Sequence, residues 1–447
     1  YEFPKAIADA LDVQIAKDTS WLGEVGAAGG WINGIHRSLR ATWDMSAIGI
    51  HGLLRSFDSP GLAARSFKWQ FGAWVDNGEG LLGAFVGDFN RKVTQVGRLT
   101  SEQWTALGLH MGGEVTEYMV GAQKGTAFLR KIPGIEKSNR AFGFLGDRMR
   151  LEWADEWLAD EIRSGKTLDE LIKSGRLREI AEGANRATGY TPGSAGGSIG
   201  EMLFFAPKFL QARIDNIVNT AKSMQDPLGV VEAVPLAGKT LRRGLTKAGL
   251  TRDIPMEQRL ARRGVLRLVA GAALLTEGIN RAQGKETDWR FLIPDSVTGK
   301  TIVNAQFMAV NMFGRDHFIL GTYHSIFRLM GITGLGFDTA IRGLDPVEGA
   351  ERVRDGFRGL SSGVVQMTWD FLTGSDMMGE NARADWMPGD SDALGIAGHI
   401  MESFIPIPAE EAPDAWEKVR EGDTVGAAAN MTAEIIGMKS SGESYSD

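Results

Sequence analysis

The chain of 447 residues contains no cysteine. Disulfides, thiol nucleophiles and cysteine-ligated zinc are therefore excluded together. That absence suits a protein made in a reducing cytosol, and equally one that crosses compartments without mispairing. Long apolar runs are missing too. The apolar-rich uncharged stretches Thr301–Gly314 and Leu268–Thr276 fall short of the roughly 18 to 20 apolar residues of a spanning helix. A constitutive membrane protein is not expected, although a form that later meets a membrane remains open. Nothing near Tyr1 resembles a secretory signal. The chain reads as a processed product or as part of something longer.

Glycine is in excess. Fifty-eight glycines are nearly double the usual share of about 7%, and they show no collagen period. Twelve tryptophans stand against five tyrosines. Indoles beside glycines suit close helix packing, or a surface that lies against lipid. With 43% hydrophobic and 23% charged residues, the composition is that of a folded protein. The length exceeds one ordinary core, so two to four sub-domains are expected.

Helical spacing dominates. Ile7, Leu11 and Ile15 recur every four residues between Ala6 and Ala16. Phe67, Phe71, Trp74 and Val75 continue the pattern after Asp58-Ser59-Pro60, where proline fits a helix start. A long helix is predicted over Glu136–Arg163, with Phe142, Leu145, Met149, Trp153 and Trp157 on one side and Gly165 as its stop. Thr167 three residues before Glu170 is a capping box that opens a helix over Thr167–Ile180. Ala187–Gly200 reads as a Gly-rich loop, Met202–Ser223 as a helix, and Pro227 and Pro235 as a break. Trp289–Ile293 and Lys300–Val303 form the one expected β-hairpin. Helix is predicted again from Val310 through Phe313, His317, Leu320, His324 and Phe327. Further helices are expected from Asp345-Pro346 to Phe371, over Asp414–Arg420 and over Thr424–Ile436. The fold class is mainly α, an elongated multi-helix assembly with Gly-rich loops. Four stretches are expected: 1–128, 129–232, a basic-apolar segment 233–290, and 291–447.

Candidate chemistry fails at the level of partners. The tripeptides Gly165-Lys166-Thr167, Gly238-Lys239-Thr240 and Gly299-Lys300-Thr301 suggest phosphate loops. A phosphate loop needs another glycine five residues before the Gly-Lys pair, and those positions hold Asp160, Ala233 and Pro294. His317 and His324, two turns apart on an expected helix, lack the i, i+4 spacing of metal ligands. Glu402-Ser403 is like the Glu-Ser pair of lytic transglycosylases, but the later motifs of that family are absent downstream. No catalytic residue, metal site or cofactor is assigned.

The strongest local signal is charge. Lys239, Arg242, Arg243, Lys247, Arg252, Arg259, Arg262, Arg263 and Arg267 face only Asp253 and Glu257. A chain of net charge −7 thus concentrates positive charge next to the apolar run Val265–Ile279. These nine cations are the candidates for binding nucleic acid or an anionic surface. The bland alternative is a solvated helical face.

Several blocks together resemble the carboxy-terminal region of the large polyvalent bacteriophage proteins. Asp44-Met45-Ser46-Ala47, His51-Gly52 and Ser59-Pro60 are similar to that family's opening block. Pro133-Gly134-Ile135, Ser138-Asn139-Arg140 and Leu145 to Arg148 resemble its second. Phe205-Ala206-Pro207-Lys208-Phe209 with Arg213 resembles its third. Asp288 to Phe291 with Gly299-Lys300, then Leu372-Thr373-Gly374-Ser375-Asp376 with Gly379, and finally Gly437-Met438-Lys439-Ser440-Ser441 follow in order. Gly146 and Lys208 replace the family's usual Asn and Arg. The resemblance implies a non-catalytic internal or ejection protein, packaged with the genome in the virion and delivered to the host envelope or cytoplasm. Its implied partners are portal, tail or core proteins and further copies of itself. Phage DNA and, after ejection, the host membrane are further candidates. The alternative is a nucleic-acid-binding accessory segment of a giant delivered phage enzyme, such as a virion RNA polymerase.

Overall fold

A computed structural model describes residues 52–75, 79–111, 135–191, 207–234, 238–296, 299–312, 315–341, 419–420 and 439–443. The expected elements at Ala6–Ala16, Asp345–Phe371 and Thr424–Ile436, the Glu402-Ser403 pair and most of Ala187–Gly200 and Asp414–Arg420 lie outside them.

Helix dominates the described residues, so the chain is mainly α. Helix α1 (Leu53–Asp58) leads directly into α2 (Pro60–Val75). Ser59 is the joint: its N–H still donates to Arg55 O at 2.8 Å, while Pro60, which has no N–H to lose, opens the next helix. Helices α3 (Glu79–Gln95) and α4 (Ser101–Ala106) follow, then the long α5 (Ile135–Arg163). Gly165 ends α5 with φ +100, a conformation that glycine adopts without strain. Thr167 and Glu170 form the capping box anticipated for α6. The helix expected to run on to Ile180 is instead two, α6 (Leu168–Lys173) and α7 (Arg176–Ala187). Gly175, with φ +73, turns the chain between them. Helix α8 (Pro207–Lys222) continues into short 3-10 turns at Ser223–Gln225 and Pro227–Ala233. Helix α9 (Gly238–Lys247) and the long α10 (Met256–Ala282) carry the basic segment.

Strands β1 (Leu292–Pro294) and β2 (Thr301–Val303) pair antiparallel as expected, with Ile293 opposite Ile302. A second small sheet was not anticipated. The stretch from Val310 read as helix forms β3 (Val310–Met312) and β4 (Arg315–Phe318), and α11 begins only at Thr322, running to Ile341. Strand β5 (Lys439–Glu443) completes the order β3-β4-β5. His317 and His324 therefore do not share a helix: the first lies in β4, and the second stacks from α11 on Phe318 at 3.9 Å.

Helix α10 is the central post. It packs against α1, α7, α8, the 3-10 turn at Pro227–Ala233 and β3. One hydrophobic cluster unites Leu54 and Trp104, Trp153, Trp157 and Ile180, Met256, Leu260 and Leu268, and Met308 and Tyr323. It draws on all four stretches named from sequence. Indoles beside close helix contacts prove to be core: Trp104, Trp153 and Trp157 are all but fully buried.

Candidate functional site: a buried arginine–carboxylate network

The basic segment splits when it folds. On α10, Arg259, Arg263 and Arg267 recur every four residues and so share one side of the helix, with Arg262 beside them. That side faces inward. Arg262 and Arg263 are each 1% exposed, and Arg242 of α9 and Arg267 are also buried.

Carboxylates from distant parts of the chain meet them. Asp58, at the end of α1, lies 2.6 Å from Nε of Arg263 and accepts from Arg267 Nη1 at 3.0 Å. It also accepts from Arg55 at 3.3 Å and from the indole N–H of Trp153 at 3.1 Å. Glu232, in the 3-10 turn, accepts from Arg259 Nη2 at 2.9 Å and lies 3.3 Å from Nε of Arg242. Asp226 accepts from Arg242 at 2.6 Å and from Arg262 at 3.3 Å. Glu161 on α5 accepts from Arg259 at 2.8 Å and from Lys166 at 2.6 Å. Glu156 binds Arg55 at 2.6 Å, and Asp160 lies 3.7 Å from Arg263. Arg55, Arg242, Arg259, Arg262, Arg263 and Arg267 thus oppose Asp58, Asp226, Glu156, Asp160, Glu161 and Glu232, with Lys166 and Arg163 joining from the edge.

The tryptophans form its floor. Trp153 and Trp157 are four apart on α5, so they lie on one face of it. The Arg263 guanidinium lies 4.6 Å from the centre of Trp157, and that of Arg55 lies 5.2 Å from Trp153. Weakly hydrated guanidinium groups tolerate this contact better than ammonium groups would.

Geometry and charge agree on the protonation states. Burial alone would push Glu232 upward, but Arg259, with Arg242 and Arg263, holds it below its ordinary value. Glu161 is opposed by burial and lowered by Arg259 and Lys166. Asp226 is opposed by burial and lowered by its bond from Arg242 and the backbone N–H of Arg252. Burial lowers Arg259 while Glu232 and Glu161 raise it, and the net direction is upward. These groups stay charged at neutral pH. A general acid needs a carboxyl pushed toward neutrality, and Glu161, Asp226 and Glu232 are held the other way. Asp155, by contrast, is pushed up to about 6 by burial despite Arg98 at 2.7 Å. Its role is to tie the segment before α4 to α5.

The other motifs resolve into local structure. Lys166 of the first Gly-Lys-Thr binds Glu161, and Thr167 caps α6. At Gly238 a Cβ would lie 2.5 Å from the Glu232 carbonyl oxygen, which explains glycine at the start of α9. Gly299 makes the left-handed turn between β1 and β2, with φ +67. Among the described residues no cluster of His and acidic side chains is arranged to hold a metal, and no helix is long and apolar enough to cross a membrane.

The nine candidate cations thus fall into two groups. Arg242, Arg259, Arg262, Arg263 and Arg267 are turned into the protein and ion-paired, which takes them out of the candidates for binding nucleic acid or an anionic surface. A phosphate could reach them only by displacing carboxylates already in place. Lys247 and Arg252 are exposed and Arg243 is half-buried, while Lys239 lies in the first turn of α9. Sequence reading missed the acidic half of the network entirely. The available signal was the four-residue recurrence of Arg259, Arg263 and Arg267 in step with apolar neighbours.

The fold and the network define a class: a mainly helical protein pinned by an internal arginine–carboxylate cluster. The chain matches no protein-family profile, no curated protein and no solved structure.

Proposed function

We propose that this chain is a non-catalytic structural part of a bacteriophage virion protein, carried with the genome and delivered to the host envelope. The observation that supports the structural role is the burial and mutual pairing of the polar cluster. Cations hold Glu161, Asp226 and Glu232 ionised, and the buried arginines are in turn paired with carboxylates, so the most conspicuous group of titratable residues serves cohesion. The ordered blocks of phage-protein resemblance support the virion location. Assembly with portal, tail or core proteins and with further copies follows from the same reading.

Mass spectrometry of purified particles tests it. Peptides from the chain should appear at several copies per virion. Their absence from intact particles would overturn the location.

The nucleic-acid alternative retains a reduced set of surface cations. Arg243, Lys247 and Arg252 could contact about three phosphates, giving a log–log salt slope near −3; all nine cations would give about −8. A measured slope as steep as the larger figure would favour that alternative.

A further inference from the structure

Charge is sorted across the segment from Lys222 to Arg252. Its only acidic residues are Asp226 and Glu232, and both are buried. Asp226 gathers the segment from beneath. It receives Arg242 and Arg262, and its other oxygen accepts the backbone N–H of Arg252 at 3.1 Å. Gly229 lies so close that a Cβ there would collide with Asp226, Arg242 and Arg262. The 3-10 turn at Pro227–Ala233 packs directly on α9. The segment is therefore one local unit with all its acids inside.

Outside it presents cations and apolar side chains together. Lys222, Lys247 and Arg252 are exposed and Arg243 is half-exposed. Among them Met224, Leu228, Val234, Leu241 and Leu250 are each 45–56% exposed. The nearest acids bound the unit. Asp253, next to Arg252, is exposed and pairs with Arg176, and Asp215 lies 4.0 Å from Arg186.

We propose that the outer surface of residues 222–234 and 238–252 docks on an anionic lipid bilayer. A nucleic-acid backbone rewards the cations but gains nothing from exposed leucine and methionine. An acidic headgroup layer rewards both, because cations meet phosphates while apolar side chains enter the acyl boundary. The absence of any outward carboxylate from this unit supplies the charge complementarity. Each cation brought to such a surface strengthens binding about fivefold. This surface acts whether or not the chain is carried in a particle, so its test and the virion test fail separately.

The experiment is cosedimentation of the full chain with phosphatidylglycerol–phosphatidylcholine vesicles, against pure phosphatidylcholine. The chain should bind the acidic vesicles and not the neutral ones. Lys247→Glu with Arg252→Glu should weaken binding by at least about 25-fold. Leu241→Ser with Leu250→Ser should weaken it about tenfold. Leu274→Ser, at an exposed apolar residue on α10 outside the unit, should leave it unchanged. Circular dichroism confirms that each variant is folded; if the Glu pair is not, Lys247→Gln with Arg252→Gln replaces it. Failure of the unaltered chain to bind acidic vesicles overturns the proposal. So does equal loss in the Leu274 variant, or retention by the Leu241 and Leu250 variant with competition by duplex DNA, which would make the surface a nucleic-acid site.

Discussion

A carboxylate buried beside guanidinium groups is stable only while its charge is matched, and Glu232 is the clearest instance. It faces Arg259, Arg242 and, at 4.0 Å, Arg262. Removing its charge leaves buried arginines short of a counter-ion, a loss of the kind that costs about 3–5 kcal/mol. Glu232→Gln should lower stability in urea by that order near neutral pH. The pH dependence has a definite sign. Because the folded protein holds Glu232 below its ordinary value of 4.5, its contribution is present above that value and is lost as pH falls below it. The gap between the unaltered and Gln proteins should therefore narrow in acid; a gap independent of pH would contradict the ionised network. At this scale the sequence was half legible. The cations could be counted along the chain, but their partners lie far away in it: Arg267 meets Asp58 across 209 positions and Arg259 meets Glu161 across 98. Local charge density adds along a sequence, whereas pairing depends on the fold.

Most elements whose signals are local were read correctly, the break at Gly175 excepted, and strands completed from a distance were not. The Thr167–Glu170 capping box and the stop at Gly165 involve neighbours only, so residue type sufficed. Strand β4 is different, because Phe318 pairs with Lys439 and His317 with Ser440. No pattern near Val310 announces a strand that a segment more than a hundred residues later completes. Glycine in α10 gives the element scale its prediction. Gly271 and Gly278 are seven apart and share one face, yet a Cβ at Gly271 would collide with the Phe57 ring, while Gly278 has open space around it. Gly278→Ala should stabilise the protein by about 0.5–1 kcal/mol through helix propensity. Gly271→Ala should destabilise it, since overpacking costs about 1–3 kcal/mol. Thermal unfolding of the two variants checks the opposite signs, and a shared sign would mean that α1 does not pack on α10 as described.

At the scale of the whole molecule, the deciding feature among the described residues is that the main core is shared. Boundaries at 128, 232 and 290 follow composition, but Leu54, Trp157, Leu260 and Tyr323 belong to a single cluster. Fragments 1–232 and 233–447 should each lack cooperative urea unfolding, because the division removes α10 from the helices it supports. A cooperative transition in either fragment alone would show that the core is divisible. What the sequence determined by itself was the mainly helical class, the principal helix starts and stops with local caps, the first hairpin and the exclusion of cysteine chemistry. Each rests on residue type or on spacing within a few turns. Only the tertiary structure decided that the most basic segment is largely an interior element, that its arginines balance carboxylates from α1, α5 and the 3-10 turn, and that its outward cations are few. The reason is physical: burial makes an unmatched charge costly, and the matching charge is found in space wherever the chain returns.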